Sequence, residues 1–98
     1  MTITAVIRAK KGQEETMRGA LLATAENVRI NEPNTMGFIV SQDAADPCVV
    51  TTYERFLDQA ATDAHNHSQV VARFFGIAQP ILDGDVVPVT ATEVSAKP

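Results

Sequence analysis

The 98-residue chain has no tryptophan, a single cysteine and only five aromatic residues, four phenylalanines and one tyrosine. Cys48 has no partner for an internal disulfide, so the fold must rest on its packing, and a reducing cytoplasm is the expected setting. No apolar run approaches the ~20 residues that a membrane-spanning helix needs. Basic residues are also scarce: eight Lys and Arg stand against twelve Asp and Glu, for a net charge of −4. They are scattered along the chain, whereas nucleic-acid binding needs a clustered basic face, so neither nucleic acid nor membrane is expected as a partner. No glycine-rich phosphate loop follows a strand and no dinucleotide fingerprint is present, so no NAD, flavin or ATP site is expected, and no cofactor. The first residues lack a basic segment ahead of a long apolar stretch, so no secretory leader is expected. Repeats, low-complexity tracts and linkers are missing too, which gives one domain over residues 1–98 with a frayed tail at 95–98.

At 45% hydrophobic and 20% charged residues, the composition is that of a globular protein. A domain this small buries only ~60–68% of its unfolded surface, so self-association is expected to help it.

Alternation predicts a strand over residues 2–9, with Ile3, Ala5, Ile7 and Ala9 on one face and Thr4, Val6 and Arg8 on the other. Lys10, Lys11 and Gly12 break it. A helix follows, with Glu14 and Glu15 in its first turn and Met17, Ala20, Leu21, Thr24, Ala25 and Val28 forming one apolar stripe. Asn31, Pro33 and Asn34 stop that helix. Two strands, 36–42 and 48–56, are joined by the polar turn at 43–47, which predicts a hairpin. Asp58 caps a second helix, whose expected buried stripe is Ala61, Ala64, His65, Ser68, Val71, Ala72 and Phe75, with a second cap available at Ser68. Pro80 ends the helical stretch, a turn follows at 82–85, and a last strand is expected over 86–94, with Pro88 fitting an edge or an irregularity. The order βαββαβ is the split pattern of a ferredoxin-like α+β fold, an antiparallel sheet with helices on one face. Val6, Ile39 and Val49 would remain on the other face, and a second copy of the sheet is the simplest cover for them.

The run Tyr53–Glu54–Arg55–Phe56, then Asp58–Gln59–Ala60–Ala61, then Asp63–Ala64–His65 resembles the YE-x-W-x-D-x-AA-x-x-x-H core of antibiotic biosynthesis monooxygenase domains. Ala9–Lys10–Lys11–Gly12, and Asn31–Glu32–Pro33 followed by Gly37–Phe38, fall where that family carries its KPG and EPGC-x-x-Y segments. The resemblance covers nearly the whole chain. It implies a ferredoxin-like subunit that pairs sheet to sheet into a dimeric α+β barrel, with a pocket between sheet and helices in each subunit. It leaves the reaction open, since the superfamily includes cofactor-free oxygenases of phenols and quinones, haem-degrading enzymes and an isomerase. Phe56 stands where many relatives have Trp. Haem-degrading relatives use an Asn on the first strand, a Trp and a proximal His. Here the strand position is about Ala5 and His65 falls elsewhere, so haem degradation is not expected.

His65 is the most informative position, because its stripe points it at the sheet, while His67, roughly 200° round the helix, faces water. The two histidines are therefore not an i, i+4 metal pair, and no metal site is expected. Two readings of His65 stand side by side: a hydrogen-bonded core histidine, or a base that titrates near neutrality. Glu54 shares the helix-facing side of its strand with Thr52 and Phe56, and a semi-buried carboxylate needs a partner, for which His65 is the candidate. The pair is either catalytic or a staple of the fold. Tyr53 faces the other way and is read as packing. Phe38, Phe56 and Phe75, with Met17, Leu21 and Phe74, form core or pocket wall. Thr52, Asn31 and Arg29 are candidates to bind polar groups, with surface capping the plain alternative for the last two. Nothing near Cys48 marks an activated thiolate.

Two functions follow. One is a cofactor-independent monooxygenase acting with O₂ on a small aromatic or quinone-like substrate, His65 removing a proton so that the electron-rich anion reduces O₂. The other is a non-oxygenase dimer: a ligand-binding or stress-response protein, or an isomerase of a small hydroxy-carbonyl compound. The first is the leading reading, and the scarcity of aromatic side chains keeps the second open, because a large flat substrate wants stacking surface.

Overall fold

In a computed structural model of the chain, which describes residues 1–97, alternation sets each strand and apolar periodicity sets each helix. Pro98, the last residue of the expected tail, lies outside the described residues. The elements are β1 (Thr2–Arg8), α1 (Glu14–Asn31), β2 (Thr35–Gln42), β3 (Val49–Phe56), α2 (Gln59–Asn66), α3 (Gln69–Ala78), a 3₁₀ turn (Gln79–Ile81) and β4 (Val87–Ala91). The strands form one antiparallel sheet in the order β2-β3-β1-β4. This is the ferredoxin-like βαββαβ arrangement. Gly12 and Gly84 take positive φ in the turns that follow β1 and precede β4, a conformation that costs glycine nothing sterically. No helix is long and apolar enough to cross a membrane among the described residues.

The register places Ile3 beside Glu54 and Glu54 beside Phe38, with Ala5 beside both Thr52 and Pro88. The helix-facing side of β3 thus reads Val50, Thr52, Glu54, Phe56, apolar at both ends and polar in the middle. That polar stretch divides the core. Val50 belongs to the larger cluster with Ala5, Ile7, Met17, Leu21, Phe74 and Ala78, while Phe56 packs with Ile3 and Ala61.

The second helical region departs from its expected single stripe. Asp58 Oδ1 accepts from the Ala61 amide at 2.8 Å and caps α2, and Ser68 Oγ accepts from the Val71 amide at 3.3 Å and caps α3. The break between them resets the helical phase. Thr62, His65, Phe74 and Ala78 are buried, whereas Ala64, Ala72 and Phe75 are exposed. The last strand is also shorter than the expected 86–94. Beyond Ala91 the chain leaves the sheet, and Glu93 forms an ion pair with Arg55 at 2.6 Å. Pro88 does lie on an edge strand, where its missing N–H costs no ladder bond. On the helix-free face Val6, Ile39, Tyr53, Val87 and Val89 remain exposed.

The cap at Asp58 also fixes where α2 begins and so which of its residues face the sheet. Asp58→Ala is expected to cost about 1 kcal/mol, read as a lower midpoint in urea or thermal unfolding, and Asp58→Asn to cost much less.

Candidate functional site

Three chain segments converge on one imidazole. His65 lies in the last turn of α2, where the helix dipole favours a positive charge, and is 5% exposed. The rings of Phe38 and Phe56 flank it, with centroids 5.7 and 5.3 Å away. Its Nδ1 lies 2.8 Å from Glu32 Oε1 and its Nε2 lies 3.2 Å from Glu54 Oε1. Glu54 is held in turn by Thr52, whose Oγ1 donates to Glu54 Oε2 at 2.7 Å. Thr35 Oγ1 donates to Glu32 Oε1 at 2.8 Å.

Glu32 is the residue that sequence reasoning missed. It occupies the C-cap of α1, its amide donating to the Val28 carbonyl. A carboxylate there faces the negative end of the helix dipole. The one sequence signal at Glu32 is the resemblance of Asn31–Glu32–Pro33 to the EPGC segment of the family.

A neutral imidazole has one N–H and one lone pair. With a carboxylate on each ring nitrogen, a neutral ring would turn a lone pair towards an anion. The arrangement therefore favours the imidazolium, which donates on both sides. Burial alone pulls the proton affinity of the ring down, but hydrogen bonds and charge from Glu54 and Glu32 outweigh it and raise the His65 pKa above its ordinary value. Both nitrogens are thereby committed, and the free acceptor next to the ring is the Glu54 carboxylate.

Glu54 and His65 stand at the polar end of a cavity of about 350 Å³ between sheet and helices. Thr24 and Thr52 join them there, while Ile3, Ile7, Leu21, Val71, Phe38, Phe74 and Phe75 make the apolar walls. Ala5, Thr52 and Pro88 form a row of small side chains across three strands, which leaves this space open beneath the helices. His65, Glu54, Thr52, Phe38 and Phe75 are thus brought together on one cavity. Phe56 is not: it is 3% exposed and packs behind the imidazole. Arg29 lies outside, paired with Glu26 at 2.6 Å on an open groove beside α1. Asn31 borders a separate outer pocket and donates to Asn27 at 2.8 Å. Arg29 and Asn31 thus border outer pockets, the latter shared with His65, and neither lines the inner cavity.

Among the described residues no three His, Cys, Asp or Glu side chains converge in a way that could hold a metal ion. Glu32 and Glu54 approach His65 from its two opposite nitrogens, so the three donors do not face a common point. Cys48 lies on another pocket with Glu14 and Asp46. Burial and those two carboxylates push its thiol pKa up, the reverse of activation.

A family model described as antibiotic biosynthesis monooxygenase matches residues 1–76. Among solved structures, an antibiotic biosynthesis monooxygenase is 20% identical over 96% of this chain and 98% of its own, with a TM-score of 0.88. The protein PA3566 from Pseudomonas aeruginosa is 22% identical over 94% of this chain and 93% of its own, at a TM-score of 0.80. SO0527 from Shewanella oneidensis is 22% identical over 90% and 86%, at a TM-score of 0.81. No curated protein matches in sequence. Identities this low carry the fold; what the site does must come from its own geometry.

The raised His65 pKa links stability to pH. The ring binds its proton more tightly folded than unfolded, so its contribution is complete below about pH 6.5, the ordinary histidine value, and is lost as pH rises through the raised folded value. Urea denaturation across neutral to alkaline pH is expected to show stability falling over that window in the wild type, and a flatter profile in His65→Gln.

Proposed function

The chain belongs to the antibiotic biosynthesis monooxygenase family, and from that premise we propose that it is a cofactor-independent monooxygenase of a small phenolic, anthrone-like or quinol substrate. The observation that carries this reading is a carboxylate, Glu54, with an imidazole against it in a mostly apolar cavity. Its volume of about 350 Å³ lies near the lower limit for small-molecule sites, which suits two or three fused rings.

In this reading Glu54 accepts a proton from an O–H or acidic C–H of the substrate, and the electron pair stays on the substrate as an anion. The anion gives one electron to O₂, and the resulting radical and superoxide combine as a peroxide that takes the proton back from Glu54. At a CH₂ carbon the hydroperoxide then loses water and leaves a carbonyl, so one oxygen atom enters the product and the other leaves as water. The His65 imidazolium lies where it steadies negative charge as it passes from substrate to oxygen, and the apolar walls strengthen that effect by excluding water. In this reading the expected role of His65 as the base passes to Glu54, because the carboxylates on its two sides favour a hydrogen on each ring nitrogen.

The same base and cation would also serve enolisation of a small hydroxy-carbonyl compound, for which the scarcity of aromatic side chains speaks. No lysine or arginine is among the cavity's lining residues, so a phosphorylated substrate is not part of it.

The exposed row Val6, Ile39, Tyr53, Val87 and Val89 is the surface on which two copies close sheet to sheet. Free Cys48 suits work in the reducing cytoplasm.

Anthrone supplied to the purified protein in air is expected to consume O₂ and to gain one labelled oxygen from ¹⁸O₂. Glu54→Gln should slow that turnover by about 10²–10⁴-fold in protein that remains folded by circular dichroism. Absence of uptake with anthrones, naphthols and hydroquinones alike, together with anaerobic interconversion of a hydroxy-ketone, would favour the isomerase. Light scattering should give twice the chain mass, and Val6→Glu combined with Val89→Glu should return a monomer.

A further inference from the structure

His65 is the one described lining residue shared by the inner cavity and the outer pocket, so its two nitrogens look out on different surroundings. The Nε2 side meets Glu54 and the cavity. The Nδ1 side meets Glu32, which lines the outer pocket and not the cavity. Glu32 therefore has no direct approach to a molecule bound inside, yet it makes the shorter of the two contacts to the ring, 2.8 Å against 3.2 Å. Its Oε1 carries both the His65 and the Thr35 hydrogen bonds, and its Oε2 is buried without a hydrogen-bond partner among the described residues. A buried carboxylate oxygen left in that state favours a concentrated positive charge close by, since nothing else compensates it.

We propose that Glu32 is a positioning residue that holds His65 as a doubly protonated ring from the side away from the cavity, so that Nε2 keeps its hydrogen towards Glu54 and the ring presents a positive charge to the bound molecule. This rests on the reading of Glu54 as the base. Without the Glu32 charge, a neutral ring would keep its proton on Nδ1 and turn the Nε2 lone pair on Glu54. The site would then lose, at lower pH, both the hydrogen that Nε2 gives Glu54 and the positive charge that faces the bound molecule. With Glu32 in place, Nε2 keeps its own hydrogen and Glu54 Oε1 receives it only as a hydrogen bond. The charged groups facing the ring are Glu32 from the end of α1 and Glu54 from β3. β2 presents the uncharged Phe38 and Thr35, and on α2 itself Asp58 is engaged with the Ala61 amide and Asp63 is exposed.

The experiment is a ¹⁵N NMR titration of the His65 ring nitrogens in the ligand-free protein, paired with the pH profile of O₂ uptake on anthrone. The wild-type ring is expected to carry hydrogens on both nitrogens through neutral pH. In Glu32→Gln the doubly protonated fraction at mildly alkaline pH should drop about tenfold or more, and Glu32→Asp should recover part of it, short of the wild type. The alkaline limb of kcat should move to lower pH in Glu32→Gln, with KM for anthrone little changed. A wild-type ring with one hydrogen at neutral pH, or a Glu32→Gln ring that titrates like the wild type, overturns the proposal whatever the turnover. A ring that responds as expected beside an unmoved alkaline limb also overturns it. A ring that responds as expected in a protein that takes up no O₂ sustains the hold of Glu32 on His65 and removes the oxygenase reading instead. Should Glu32→Gln fail to fold, Glu32→Asp serves alone: its longer reach to Nδ1 should give a smaller loss of the doubly protonated ring, and an unchanged titration overturns the proposal.

Discussion

A positive imidazole between two carboxylates, closed over by two phenylalanine rings, is the constraint on which the site depends. Bringing three charges out of water costs several kcal/mol per ion, and attraction between them offsets this only where geometry is good and the remaining lone pairs are filled. Thr52 fills one oxygen of Glu54 and Thr35 one oxygen of Glu32. The C-terminal end of α2 adds a favourable field for the ring. Such an arrangement is poor economy for stability alone, since apolar side chains of the same volume would do as well or better. Its cost is understandable where the site needs a fixed charge and a fixed carboxylate.

The same arrangement explains why the elements meet as they do. Glu32 comes from the end of α1, Glu54 from the middle of β3, and His65 from the end of α2, so the ring ties one helix to the other through the sheet. The break between α2 and α3 belongs to this design. His65 sits in the last turn before it, and Ser68 both caps α3 and donates back to the His65 carbonyl at 2.7 Å. A continuous helix would carry one phase throughout, and the burial of both His65 and Phe74 requires two.

Much of this is legible in the sequence because it rests on short-range periodicity. The four strands, the first helix, the cap at Asp58, the edge position of Pro88 and the inward direction of His65 and Glu54 all follow from spacing along the chain. What escapes it depends on distant contacts. The exposure of Phe75 in place of Phe74 follows from a phase reset that Ser68 permits but does not compel. Beyond the shortened β4, Glu93 pairs with Arg55, a contact between residues 38 apart in sequence. Glu32 escapes for the same reason: 33 residues separate it from His65, and by itself it reads as a polar residue in a helix-stopping turn. Arg29 and Asn31 mislead in the opposite direction. Their chemistry suits an anion, but both border outer pockets and neither lines the inner cavity.

Two carboxylates on one ring do not have one role, and their surroundings sort them. Glu54 is buried in the sheet, fastened by Thr52, and bordered by a cavity whose other walls are apolar, so a molecule entering there meets this carboxylate and little else that is charged. Glu32 is screened from that molecule by the ring itself. Pairs of titratable groups whose environments separate them are the usual basis for dividing catalytic labour, and here the division runs through the imidazole plane. It also decides what the ring can do. A histidine hydrogen-bonded to one acid is a base awaiting a proton, whereas one held by two acids has already received it and acts through its charge. In the proposed reaction the chemistry of the cavity hinges on the Glu54 carboxylate beside that ring, a combination suited to taking a proton from a weakly acidic ring compound and steadying the electrons left behind.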